Sequence, residues 1–288
     1  MAGLYEALWI GHDWRPMLEG NKILGFIGCG TMGEAIMRGV LRSGKLPPAQ
    51  VMGADRYKST ADAVGERHGV NTTTDAGEVA KAAAVVVVAV KPQTMKAALD
   101  SDEMRKALAG KLVISVAAGV RLEQIAAWLP GIAIIRAMPN TPALIGEGMT
   151  ALAREASVTD SQLAVAMEIF QACGRCVEID EKNMDVVTAL NGSGPAFAYL
   201  ILESLADGAV MMGMRRDVAF TMAAQMIQGS ARMVLETGMH PAALKDQVTT
   251  PGGCTIAGLL TLEDGRIRSV LARAVEEATK VAGGLGKS

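Results

Sequence analysis

Short β-branched runs alternate with amphipathic stretches through roughly the first two-thirds of the chain. Ile23–Ile27 reads as a strand, 32–42 as a helix, Val51–Ala54 as a second strand and 59–67 as a polar helix. Residues 83–90 are wholly apolar, with Val85, Val86, Val87 and Val88 in succession. Such a run suits a strand covered on both faces. Residues 112–117 and 133–136 predict two more strands. Strands separated by helical crossovers predict a mostly parallel sheet with helices on both faces. The pattern changes near Asp180, and beyond Glu181 no strand is predicted. Residues 200–214, 218–236 and Ile267–Ala282 read as helices rich in Ala, Leu and Met. The expected division is an N-terminal extension (1–21), an α/β domain (22–180) and an all-helical domain (181–288). The wide apolar faces of the last domain exceed what one small bundle covers, so it is expected to pack on a second subunit.

Composition sharpens this picture. Half of the 288 residues are apolar but only 3% are aromatic, so the core must be aliphatic, and the 18 Met fit gaps between helices. A net charge of -2 argues against a nucleic-acid partner. The longest apolar run, 82–90, is too short to cross a bilayer, so no membrane partner is expected. Residues 1–21 contain His12, Asp13 and Glu19 and do not read as a secretory leader. Cys29, Cys173, Cys176 and Cys254 imply no disulfide framework, and a reducing cytoplasm is expected.

The strand at 23–27 runs directly into Gly28-x-Gly30-x-x-Gly33, and a helix follows. In that context the pattern points to a dinucleotide. Gly28 permits the turn, Gly30 lets backbone approach a pyrophosphate, and Gly33 lets helix and strand pack closely. The free N–H groups from Thr31 and Met32 to Glu34 then face the phosphates. The alternative is a Gly-rich turn without a ligand. Asp55 closes the second strand, where a carboxylate accepts a ribose 2′-OH; Arg56 and Lys58 follow and suit a 2′-phosphate. NADH and NADPH both stay open on this reading, as does a plain solvated turn. Ala89, Val90, Lys91 and Pro92 end the valine strand, placing Lys91 toward cofactor or substrate; the alternative is a surface lysine before a helix-starting proline.

Two further runs stand out. One is Arg136-Ala-Met-Pro-Asn-Thr-Pro142; the other is Thr249-Thr-Pro-Gly-Gly-Cys-Thr255, ahead of a helix predicted over 256–262. Free N–H groups at a helix start, flanked by threonine hydroxyls, suit a carboxylate. The alternative is an ordinary cap by Thr250 or Thr255.

The ordered set Gly25-Phe-Ile-Gly-Cys-Gly-Thr-Met-Gly33, Ala89-Val-Lys-Pro92, Ser115-Val-Ala-Ala-Gly119, Met138-Pro-Asn-Thr-Pro142, Asn191-Gly-Ser-Gly-Pro195, His240-Pro241 and Asp246 to Leu259 resembles the pyrroline-5-carboxylate reductases. The resemblance implies an N-terminal Rossmann domain and a C-terminal helical domain that pairs two subunits, with a higher assembly such as a decamer possible within the family. It implies reduction of Δ1-pyrroline-5-carboxylate to proline by NAD(P)H, with NADP somewhat preferred and no metal. By motif, Thr250, Gly252, Gly253, Cys254 and Thr255 hold the substrate carboxylate. The resemblance also implies Thr188 as the candidate hydrogen-bond donor near the ring nitrogen. Lys91, Pro92 and Asn140 line the nicotinamide end, and Ala117 belongs to the cofactor set. The chain departs from the pattern at 1–21, at Cys254 (commonly Thr), at Phe197 (commonly Tyr) and at Ala76 (often Asn). Cys173 and Cys176 have the spacing of a redox pair; the alternative is plain packing around Gly174. A β-hydroxyacid dehydrogenase is the rival enzyme, but Gly194-Pro-Ala-Phe-Ala198 lacks that family's lysine. A reductase of another cyclic imine and a dinucleotide-dependent sensor are the remaining rivals.

Overall fold

The computed structural model describes residues 22–285. The extension 1–21, with His12, lies outside the described residues. The chain forms two compact units, one of 22–193 with 277–285 and one of 194–276.

The first unit holds an eight-stranded sheet. In chain order its elements are β1 (Ile23–Ile27), α1 (Thr31–Arg42), β2 (Val51–Ala54), α2 (Lys58–His68), β3 (Asn71–Thr73), α3 (Ala76–Ala82), β4 (Ala83–Val88), α4 (Pro92–Leu99), α5 (Asp102–Leu108), β5 (Leu112–Ser115), α6 (Leu122–Trp128), β6 (Ala133–Met138), β7 (Gly148–Arg154), α7 (Asp160–Gln171), β8 (Gly174–Glu178) and the single turn α8 (Met184–Val187). The strand order is β3-β2-β1-β4-β5-β6-β7-β8, parallel throughout except between β6 and β7. The order reverses between β1 and β4, the switch point beside which ligands of doubly wound sheets bind.

The valine strand behaves as its composition demands. Val85 and Val87 enter one core with Leu24, Phe26 and Ile114; Val86 and Val88 enter the other with Ile27, Val113 and Ile134. All four valines are fully buried. Each contributes about 1.5–3 kcal/mol by leaving water. The strand stops at Val88, two residues before the run predicted from composition ends, because the chain turns toward Lys91-Pro92. Strands β3, β7 and β8 were not predicted. β3 is three polar residues, and β8 carries Gly174, Arg175 and Cys176 without an alternating buried face.

The second unit is helical, as predicted: α9 (Gly194–Met211), α10 (Arg216–Thr237), α11 (Pro241–Gln247), α12 (Cys254–Asp264) and α13 (Ile267–Ala282), whose last turns belong to the first unit. α9 starts earlier than the predicted 200 because Pro195 sits in the first turn, where no N–H is needed. Its own core is small: Ala206, Ala219 and Ala223, with Leu202, Ala209, Val210 and Phe220 against them. Met211, Met212, Met222, Met226, Leu260 and Val270 stay exposed on this chain. An apolar surface of that extent marks an interaction face. Among the described residues, no helix is long and apolar enough to cross a membrane.

Candidate active site

The glycine loop is built as its spacing requires. Gly28 has φ +99°, and a Cβ there would meet the Ala89 carbonyl at 2.7 Å. A Cβ on Gly33 would lie 2.2 Å from the Gly28 carbonyl oxygen. Gly30 is different: among the described residues, its chain neighbours aside, nothing lies within 4 Å of its Cβ position. It is the N-cap of α1 and makes no side-chain cap, while Glu34 N–H already bonds the Gly30 carbonyl at 2.9 Å. The N–H groups of Thr31, Met32 and Gly33 therefore face an open cradle suited to an anion. Those residues fit a dinucleotide pyrophosphate.

Asp55 braces this loop. Its Oδ2 accepts the Cys29 N–H and its Oδ1 accepts the Tyr57 N–H, both at 3.0 Å. Asp55 is thus no solvated turn residue. Each oxygen keeps a lone pair for a ribose hydroxyl. Arg56 lies over the Tyr57 ring at 4.6 Å and donates to the Tyr57 hydroxyl at 2.6 Å, forming an exposed cationic plane. Lys58 pairs with Asp62 at 2.7 Å. Tyr57 was not singled out from sequence, because an exposed aromatic after a strand carries no spacing signal.

The remaining first-unit residues follow strand ends along the same sheet edge. Ala89 and Val90 follow β4, and Lys91 is the exposed N-cap of α4 with Pro92 at its first position. Ala117, buried, follows β5 and donates its N–H to Ser115 Oγ at 3.3 Å. Asn140 follows β6. Its amide is engaged in scaffolding: Oδ1 accepts the Met149 N–H and Nδ2 donates to Asn191 Oδ1, each at 2.9 Å. Asn191 Nδ2 in turn donates to the Met138 and Met149 carbonyls at 2.9 Å. Asn191 was quoted as part of a motif but given no role; its clamp explains why 181–193 stays with the sheet.

Thr188 opens a π-helical turn, Thr188–Gly192, a rare backbone form common at functional sites. It is buried, and its hydroxyl donates to the Met184 carbonyl at 2.8 Å.

In the helical unit, Thr250-Pro251-Gly252-Gly253 is a tight turn closed by Gly253 N–H on the Thr250 carbonyl at 3.1 Å. Pro251 presets its first corner and Gly252, at φ +68°, supplies the second. A Cβ on Gly253 would lie 2.5 Å from Thr250 Oγ1. Gly253 is the N-cap of α12, with no side-chain cap. The plain cap by Thr250 or Thr255 is therefore not formed, and the first N–H groups, on Cys254, Thr255 and Ile256, remain for an anion. His240, by contrast, is an ordinary cap, accepting the Ala242 N–H at 3.2 Å.

Other groups are structural. Burial opposes ionisation of Glu34, but hydrogen bonds from Arg67 and His68 outweigh it and hold its carboxyl below the usual range. All four cysteines are free. Burial pushes the thiol pKa of Cys173 up to about 11 and of Cys176 to about 12, which disfavours the thiolate that a redox pair uses. Among the described residues no cluster suits a metal ion.

The family model for pyrroline-5-carboxylate reductase dimerisation matches residues 181–285, and one for coenzyme F420-dependent NADP oxidoreductase matches 23–119. A pyrroline-5-carboxylate reductase of Methanosarcina acetivorans is 41% identical over 93% of this chain and 99% of its own. The Escherichia coli enzyme of that name is 41% identical over 93% of this chain and 100% of its own. The solved structure from Coxiella burnetii is 35% identical with a TM-score of 0.87, covering 93% of this chain and 100% of that one. The Plasmodium falciparum structure with NADP bound is 31% identical with a TM-score of 0.81, covering 92% and 98%. With identities of this size over nearly the whole length, and both the dinucleotide cradle and the threonine-glycine turn in place, the chain belongs to the pyrroline-5-carboxylate reductase family.

Proposed function

We propose that this protein reduces Δ1-pyrroline-5-carboxylate to L-proline with NAD(P)H, the last step of proline biosynthesis. The observation that carries the reading is the uncapped start of α12 behind Thr250-Pro-Gly-Gly, a carboxylate seat in a chain that also holds a dinucleotide cradle. When bound, the reduced nicotinamide supplies a hydride to the C=N carbon. Gly28, Gly30, Thr31, Met32 and Gly33 hold the pyrophosphate, and Ala89, Val90, Lys91, Pro92, Ala117 and Asn140 line the path toward the nicotinamide. Thr250, Gly252, Gly253, Cys254 and Thr255 seat the substrate carboxylate; Cys254 contributes its backbone N–H. Thr188 turns its hydroxyl from the Met184 carbonyl toward the ring nitrogen, donating to the lone pair that this nitrogen gains as the C=N bond is reduced, and Lys91 adds a positive charge that no ion pair among the described residues neutralises. A protonated imine is already an electrophile, so holding its carbon about 3–3.5 Å from the hydride donor is most of the catalysis.

Arg56 and Tyr57 favour NADPH over NADH, since the exposed guanidinium suits a 2′-phosphate. A cytoplasmic homodimer through the exposed helical faces fits the matched dimerisation segment, and a decamer is a further assembly of such dimers. Oxidation of NADPH and NADH, each with and without pyrroline-5-carboxylate, tests the proposal. Substrate-dependent oxidation, faster with NADPH, is expected. Dinucleotide binding without turnover would favour a sensor instead.

A further inference from the structure

Arg136 lies in β6 with 2% exposure. Its register partners are Ser115 and Ala153, on the sheet face shared with Val88 and Met184. Its Nη1 lies 3.4 Å from Glu181 Oε1, and that oxygen also accepts the Leu122 N–H at 2.5 Å. Arg121 and Asp185 face each other alongside at 3.8 Å. Among the buried side-chain polar atoms of the described residues, Nη2 of Arg136 alone has no hydrogen-bond partner there. Burying a guanidinium costs several kcal/mol, and an unmade donor adds to that. A methionine would fill the same space more cheaply, so packing does not explain this arginine.

What the pair does is fix one end of a segment. Residues 181–192 are pinned to β6 twice. At the start, Glu181 meets Arg136; at the end, Asn191 donates to the Met138 carbonyl, and Gly192 presses on Met138, whose Cε would lie 2.6 Å from a Cβ there. Arg136 and Met138 are two residues apart on one strand and so share a face. Between the anchors sit Met184, which is fully buried, and the π-helical turn that begins at Thr188.

We propose that the buried Arg136–Glu181 pair is a positioning device for the Thr188 hydroxyl, holding the start of its segment against β6. The inference rests on the assignment of Thr188 to the ring nitrogen made above. Arg136 touches neither substrate nor cofactor and acts through Thr188. Arg136→Met, Thr188→Val and the double variant test it in the full-length enzyme. Arg136→Met is expected to keep or raise Tm, to leave dinucleotide Kd and substrate KM near the parent, and to lower kcat by about tenfold or more. The double variant is expected to be no slower than Thr188→Val alone. A lower Tm with kcat intact makes Arg136 merely structural. If Thr188→Val slows the enzyme but the two losses multiply, the positioning claim fails while the Thr188 assignment stands. If Thr188→Val leaves kcat intact, both fall. Should Arg136→Met not fold, Glu181→Gln, which retains an acceptor for Leu122 but removes the charge pairing, carries the same cycle.

Discussion

Gly30, the N-cap of α1, and Gly33, in its first turn, lie three residues apart, yet the same methyl group should do opposite things at each. At Gly33 the added Cβ would lie 2.2 Å from the Gly28 carbonyl oxygen, which is backbone and cannot step aside without moving β1's exit. Overpacking of that kind costs about 1–3 kcal/mol, so Gly33→Ala is expected to lower Tm in the absence of any ligand. At Gly30 nothing among the described residues beyond its chain neighbours lies within 4 Å of the Cβ position, and φ is -71°, which alanine adopts freely. Gly30→Ala should therefore leave ligand-free stability within about 0.5 kcal/mol. Its methyl instead enters the cradle before the N–H groups of Thr31 to Gly33. If a pyrophosphate closes on that backbone, the same overpacking of about 1–3 kcal/mol falls on binding, weakening Kd by about 5- to 150-fold. Thermal melts without dinucleotide, together with NADPH titration followed by nicotinamide fluorescence, read both effects. A Gly30→Ala protein that binds NADPH as the parent does would refute the placement of the phosphates.

Other perturbations separate the remaining roles. Thr255→Val should raise the KM for pyrroline-5-carboxylate by about tenfold or more while dinucleotide Kd holds; an unchanged KM removes Thr255 from the carboxylate seat. Asp55→Ala should lower Tm, because the Cys29 and Tyr57 N–H groups lose their acceptor at a cost of about 2 kcal/mol, and should shift preference further toward NADPH. A parent-like Tm would show that the brace is idle. Glu34 has a folded pKa below its ordinary 4.5, so its contribution is complete above that pH and is lost as pH falls through the folded value. Glu34→Gln should therefore flatten the fall of Tm with pH below about 4.5 and nowhere else; an unchanged acid limb sinks the assignment.

How far the chain could be read before its structure follows from where periodicity is strong. β1 and β2 fall on the predicted bounds because their short apolar runs are closed by Gly28 and Asp55. The valine strand needed no alternation, since both its faces are covered. β8 escaped because an edge strand of half-buried residues has no face to betray it. The glycine cradle was legible from spacing alone, since each glycine answers a local steric demand. The brace by Asp55 was not, because its partners are backbone N–H groups that any residue presents. The scaffolding bonds of the Asn140 amide to Met149 and Asn191, nine and 51 residues away in sequence, left no mark in the sequence either. The buried pairing of Arg136 with Glu181 was equally invisible, because a long-range ion pair leaves no local pattern.

Delivery of a hydride to a cyclic imine is read from NADPH deuterated at the transferring position of nicotinamide C4 with unlabelled pyrroline-5-carboxylate, followed by mass analysis of the product. L-proline carrying a single deuterium on the former C=N carbon, formed in step with NADPH oxidation, is the expected product. NADPH oxidation without labelled proline, or no oxidation by folded protein that binds NADPH, would contradict that delivery.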